Sequence, residues 1–163
     1  MFKEKTVNKI EKYFYKGNGV FFKFISSQFI DALIVGVLAT IVMKILHIKY
    51  APLLGFSIGL FNMIPYFGAI IAISISAIIT LITGGVSTAA IMLVSVLILQ
   101  QIDANVINPK IIGDSLEISP ILVILSVTIG GGYFGVIGMF LGVPVAAILK
   151  ILVNDYIDNK LEM

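Results

Sequence analysis

The chain has no cysteine, no arginine and a single histidine, His47. Without cysteine there can be neither a disulfide framework nor a thiolate metal centre. One histidine cannot build a histidine cluster, and no other metal-ligating grouping stands out. Charge is also scarce. Asp, Glu, Lys and Arg together make 12% of the residues, where a soluble domain carries about 25%. The net charge of +2 comes from 11 scattered lysines against 9 acids, which gives no footprint for nucleic acid. There is no Ser/His/Asp set, no H-E-x-x-H and no phosphate loop. The sequence therefore points away from an enzyme and calls for no cofactor.

What is abundant is apolar. Hydrophobic residues make 59% of the 163 residues and the mean hydropathy is +1.09. Such a chain cannot cover its surface in water, whereas lipid tails accept apolar side chains. At about 20 residues per span, its length suits about four to six hydrophobic segments. The expected fold class is all-α: a polytopic transmembrane helix bundle with broken helices.

Three regions are expected. Residues 1–23 are polar, lysine-rich and amphipathic, with Val7, Ile10 and Phe14 at helical spacing and Gly17-Asn18-Gly19 as a turn. No apolar run opens the chain as a secretory signal would, so sorting rests on the internal spans. Residues 24–153 form the membrane domain, and residues 154–163 a polar tail. Within the membrane domain, Phe24 to Met43 has one charge, Asp31. Ala51 to Ile82 holds 32 residues without a charge, too long for one straight span. Pro65 removes a backbone donor and clashes with the preceding turn, so a break is expected at Asn62–Pro65. Thr83-Gly84-Gly85 reads as a tight turn. The next helix should stop before Pro109, followed by a polar connection over Lys110 to Ser119. Gly130-Gly131-Gly132 should interrupt the last apolar stretch. The lysines flank both ends of the first span and favour neither orientation.

Candidate pathway residues follow from polarity at membrane depth, where unpaired polar groups are costly. Gln100, Gln101, Asp103 and Asn105 close an apolar helix. At about 100° per residue, Gln101, Asn105 and Asn108 share one narrow face, suited to a cavity or a neighbouring helix, or to emergence into headgroups. Asp31 shares a helix face with Ser27 and Gln28. Asn62 and Pro65 mark a half-helix end, a ready site for an ion or polar solute, or for local capping. Gly55/Gly59 and Gly138/Gly142 are G-x-x-x-G pairs that let helices approach closely, and Gly131 is a further packing or hinge position. G-x-F-x-x-x-P recurs at Gly59–Pro65 and Gly138–Pro144, an echo of the paired interrupted segments of transporters.

These residues carry a resemblance. GLFNMIPYFGAIIA resembles the N-x-I-P-Y-x-G signature of the autoinducer-2 exporter-like family. QQIDANVINPKIIG resembles its Q-Q-x-E-x-N-x-x-x-P-x-x-x-G stretch, with Asp103 in place of Glu. SPILVILSVTIGGGYFGVIGMFLGVPVAAILKIL is similar to its Gly-rich closing pattern, with Ser119 where His is frequent. The resemblance runs from about Phe21 to Val153 and covers the C-terminal half of a longer family member. It implies a multi-pass permease of the inner membrane that moves a small solute or a monovalent cation, sodium/proton antiport included. Expected partners are the lipid bilayer, and either further copies of the chain or a separate N-terminal half. A non-transporting half, or an assembly partner of a larger permease, is the alternative expectation.

Overall fold

A computed structural model describes residues 2–112 and 118–161. Among them every regular element is helical: α1 (Phe2–Ile45), α2 (Ala51–Asn62), α3 (Phe67–Ile102), a π-helical turn (Asp103–Ile107), α4 (Asn108–Ile112) and α5 (Pro120–Leu161). Helices satisfy every backbone group internally, which lipid demands. Among the described residues three stretches are long and apolar enough to cross a membrane: Gly17–Ile45, Phe67–Ile111 and Pro120–Asp155. Large apolar side chains such as Phe56, Ile70 and Ile98 stay exposed, as a lipid-facing surface requires.

The chain divides into two compact units, residues 27–113 and residues 1–26 with 114–163. In the first, α1 ends in a Schellman-type cap. Ile48 N–H donates to Met43 O at 2.9 Å and His47 N–H to Lys44 O at 3.0 Å, with His47 at φ 55°. Ile48 and Met43 both join the buried core, the apolar contact that accompanies this cap. The lone histidine thus closes a helix.

α2 returns along α1 with backbone against backbone. A Cβ on Gly59 would stand 2.8 Å from Gly36 Cα, and one on Gly55 would stand 2.7 Å from Thr40 N. α2 stops at Asn62, as Pro65 requires. The break contains a γ-turn of the positive-φ kind: Phe67 N–H reaches Pro65 O at 2.8 Å across Tyr66, whose φ is 64°. Such turns are rare and strained.

α3 is a helical hairpin. Gly85 (φ 81°, ψ 177°) separates two arms, residues 67–84 and 86–102. A straight helix would carry Asp103 more than about 50 Å from Phe67 at about 1.5 Å per residue. Instead Asp103 bonds to Asn62, beside the start of the first arm. The core of this unit joins Val35, Ala39 and Met43 of α1, Leu54 and Ile58 of α2, Ala72 and Ile73 of the first arm, and Met92, Val96 and Leu99 of the second.

In the other unit α5 is also a hairpin. Gly130 and Gly138 face each other closely enough that either Cβ would strike the other's carbonyl, and Gly142 packs on Ser126, its Cβ position 2.9 Å from Ser126 C. Gly135 (φ 61°, ψ −145°) makes the turn. The start of α1 belongs to this unit. Gly17 lies against Ile148, and the Phe24 and Phe140 rings are 5.9 Å apart.

Three expectations are corrected. Gly17-Asn18-Gly19 makes no turn, because α1 runs through it and Gly17 serves contact instead. α1 runs on through residue 24, and α5 runs on through residues 154–161. The last apolar stretch breaks at Gly135, not at Gly130-Gly131-Gly132, because Gly130 is occupied by Gly138 and Gly131 by the Met139 side chain. The G-x-F-x-x-x-P echo has no structural counterpart: Pro65 sits in a break and Pro144 inside a continuous helix. Most of the expected polar connection, including Gly113, Asp114 and Glu117, lies outside the described residues.

Gly59→Ala is expected to lower stability by about 1–3 kcal/mol, the usual penalty of overpacking. Gly19→Ala, which meets open space, should lose nothing. Thermal unfolding of the purified chain in detergent checks both.

Candidate functional site

The break after α2 brings three elements to one point. Asp31 lies 14 residues from either end of the apolar stretch Gly17–Ile45, at its midpoint. The residue is 1% exposed. Asn62, the last residue of α2, donates from Nδ2 to Asp31 Oδ2 at 2.8 Å and to Asp103 Oδ2 at 3.2 Å. One side-chain amide therefore spends both protons on two buried carboxylates from different helices. Asp103 and Asn108 are the other polar side chains beside Asp31. Gln28, one turn before Asp31, donates to Met63 O at 3.1 Å. It caps the broken end of α2, which leaves Asn62 free to face the acids.

The π turn explains the presence of Asn108. In an α-helix Asp103 and Asn108 would lie about 140° apart. A π turn needs one more residue to close, so residue i+5 returns over residue i; here Asn108 N–H bonds to Asp103 O. The helix consequently continues past Pro109 rather than stopping before it. Pro109 lacks the N–H that a regular ladder would use there, which eases the change of register.

The same shift corrects the expected polar face. Gln101 and Asn105 are exposed, and Asn105 Nδ2 donates to Gln101 O at 2.7 Å. They stand outside the cluster. Gln100 is half-buried, with its Nε2 unpartnered by protein. Pro65 sets the break, and its carbonyl accepts from Phe67 N–H. Gly55 and Gly59 lie in the α1–α2 contact; Gly131, Gly138 and Gly142 lie in the α5 hairpin, remote in sequence from any acid of the cluster. Three glycines escaped the sequence reading: Gly36, Gly68 and Gly135. Gly68 is the most informative, because a Cβ there would strike the Phe61 carbonyl across the break. Its signal was the G of N-x-I-P-Y-x-G.

Each carboxylate keeps one oxygen, Asp31 Oδ1 and Asp103 Oδ1, buried and without a protein partner; Gln28 Oε1 is in the same condition. Hard oxygens of this kind suit a proton or a hard monovalent cation. No group of three or more His, Cys, Asp or Glu stands together among the described residues. A separate groove of about 330 Å³ along α1 and α2 is lined by Phe29, Leu33, Val37, Phe56 and Leu60, with Lys44 also on its wall. It is apolar and holds neither acid.

A family model described as AI-2E family transporter matches residues 1–158. The chain belongs to the AI-2E transporter family. YrrI of Bacillus subtilis, whose name marks it as a candidate transport protein, is 33% identical over 139 residues, 85% of this chain and 39% of YrrI. TqsA of Escherichia coli K12, named AI-2 transport protein, is 29% identical over 124 residues, 76% of this chain and 36% of TqsA. This AI-2E chain thus spans less than two fifths of the length of both relatives. Family membership and the apolar helices make it a membrane protein.

Asn62→Leu strands two buried acceptors and is expected to destabilise the fold by about 2–5 kcal/mol. Asn105→Leu, at an exposed side chain, should stay within about 0.5 kcal/mol. Paired unfolding curves in detergent measure the difference.

Proposed function

We propose that this chain is the ion-coupling part of an inner-membrane permease, with Asp31 and Asp103 binding a proton or a monovalent cation in alternation. The observation that carries this reading is the shared Asn62 amide between two buried acids at a helix break. Two unit negative charges about 4 Å apart repel by about 4 kcal/mol at an effective dielectric near 20. One proton or one sodium ion between the free oxygens offsets that repulsion. After the first ion only one net negative charge is left, so a second binds more weakly and occupancy by one tends to exclude the other. That is the arithmetic of exchange, and sodium/proton antiport is its simplest form.

The broken helix supports the same reading. Transporter sites lie near mid-membrane, where irregular backbone lines the path, and Asp31 is the midpoint of its apolar stretch. The strained turn at Tyr66 sits four residues from Asn62, where a change of backbone would move the amide that joins the acids. The solute is a small molecule; the name of the E. coli relative suggests AI-2 as the first to test.

A second reading concerns assembly. Gln101 and Asn105 are exposed beside the buried acids, and polar groups at such a position need protein or water. Further helices, from an N-terminal half or from other copies of the chain, would cover them. The permease would then be complete only in the assembly.

Proteoliposomes carrying a sodium or pH gradient test the coupling. Asp31→Asn and Asp103→Asn should each reduce gradient-driven flux at least tenfold. Asp155→Asn, outside the cluster, should leave it unchanged. Full flux in both cluster variants would overturn the coupling role.

A further inference from the structure

Two buried hydroxyls remain that neither the fold nor the acid pair uses. Ser76 is 0% exposed and Thr80 is 1% exposed. Neither Oγ of Ser76 nor Oγ1 of Thr80 has a protein partner. A helical Ser or Thr ordinarily bonds the carbonyl four residues back. Thr40, Ser57, Ser74, Thr83 and Thr88 in the same unit all do so, at 2.7–2.8 Å. Ser76 and Thr80 do not, although each has such a carbonyl within its own helix. Leaving a buried hydroxyl unpaired costs about 1–3 kcal/mol, which a water or an ion beside each would offset.

Their placement gives the partner a direction. Ser76 and Thr80 stand one turn apart on the first arm of α3, continuing the buried stripe of Ala72 and Ile73. That arm starts beside Asn62, level with Asp103. At about 1.5 Å per residue, Ser76 lies about 14 Å and Thr80 about 20 Å along the arm from that level. Gln100, half-buried and three residues before Asp103, also has an Nε2 without a protein partner. Along the axis the order is Thr80, Ser76, Gln100 and then the two carboxylates. A hydroxyl oxygen solvates a cation, and a hydroxyl with water relays a proton.

We infer that Ser76 and Thr80 line a hydrated path, inside the unit formed by residues 27–113, along which a monovalent cation or proton reaches the Asp31–Asp103 pair. The inference rests on the coupling reading above and adds its route.

The absence of cysteine allows a direct test. Ser76→Cys, Thr80→Cys, Val35→Cys and Ala39→Cys each introduce one thiol at a buried position; the last two are 0% exposed on α1. The reconstituted chain is exposed to silver ion, a monovalent cation between sodium and potassium in size, then unfolded and labelled with a maleimide. Silver should block Ser76→Cys and Thr80→Cys at least tenfold faster than the two α1 thiols. Equal rates at all four positions would overturn the path. Loss of flux in Asp103→Asn together with equal rates would overturn the path and leave the coupling reading standing. Fast rates at Ser76→Cys and Thr80→Cys together with full flux in Asp103→Asn would overturn the coupling reading, and with it the claim that the path serves the acids.

Discussion

The amide of Asn62 is the joint of the first unit. It bonds at once to an acid in mid-α1 and to an acid at the end of α3. Both bonds are buried, where an unpaired charge is far more costly than at a surface. For one amide to reach both, α2 must stop at Asn62, Gln28 must take over the capping of its freed carbonyl, and α3 must double back at Gly85. The π turn then brings Asn108 to the same place. Each irregularity of this unit serves that convergence.

Glycine supplies the close contacts that lipid does not drive. Between apolar helices in a bilayer no hydrophobic effect distinguishes a neighbouring helix from a lipid tail, so packing and polar bonds must hold them together. Gly36, Gly55 and Gly59 bring α1 and α2 into backbone contact, and Gly130 with Gly138 does the same in α5. Gly85 and Gly135 have a separate task, since their positive φ reverses the chain. Gly68 has a third: it leaves room for the Phe61 carbonyl where the chain restarts after the break.

Much of this was legible before any coordinates. The apolar stretches, the break at Pro65 and the turn at Gly84-Gly85 follow from local chemistry, and the N-x-I-P-Y-x-G motif marks the residues that make the break. The meeting of Asp31 with Asp103 was not legible, because it depends on a 36-residue helix folding back on itself. The polar face was misread for a related reason. A uniform 100° step groups Gln101, Asn105 and Asn108, but the π turn rotates Asn108 toward Asp103 and leaves the other two outside. The Gly-rich run of α5 likewise named the right neighbourhood and the wrong hinge, since only the partner across the hairpin decides which glycine packs and which one turns.

The convergence of α2 and the end of α3 is the claim on which the rest stands, and distance measures it most directly. Spin labels at Leu60→Cys and Ile102→Cys, both exposed positions in a chain without other thiols, report the separation by dipolar spectroscopy. The fold described here predicts a separation below about 20 Å. A distribution centred near 50 Å, the reach of 35 residues at about 1.5 Å each, would mean that α3 runs straight and that the two acids never meet.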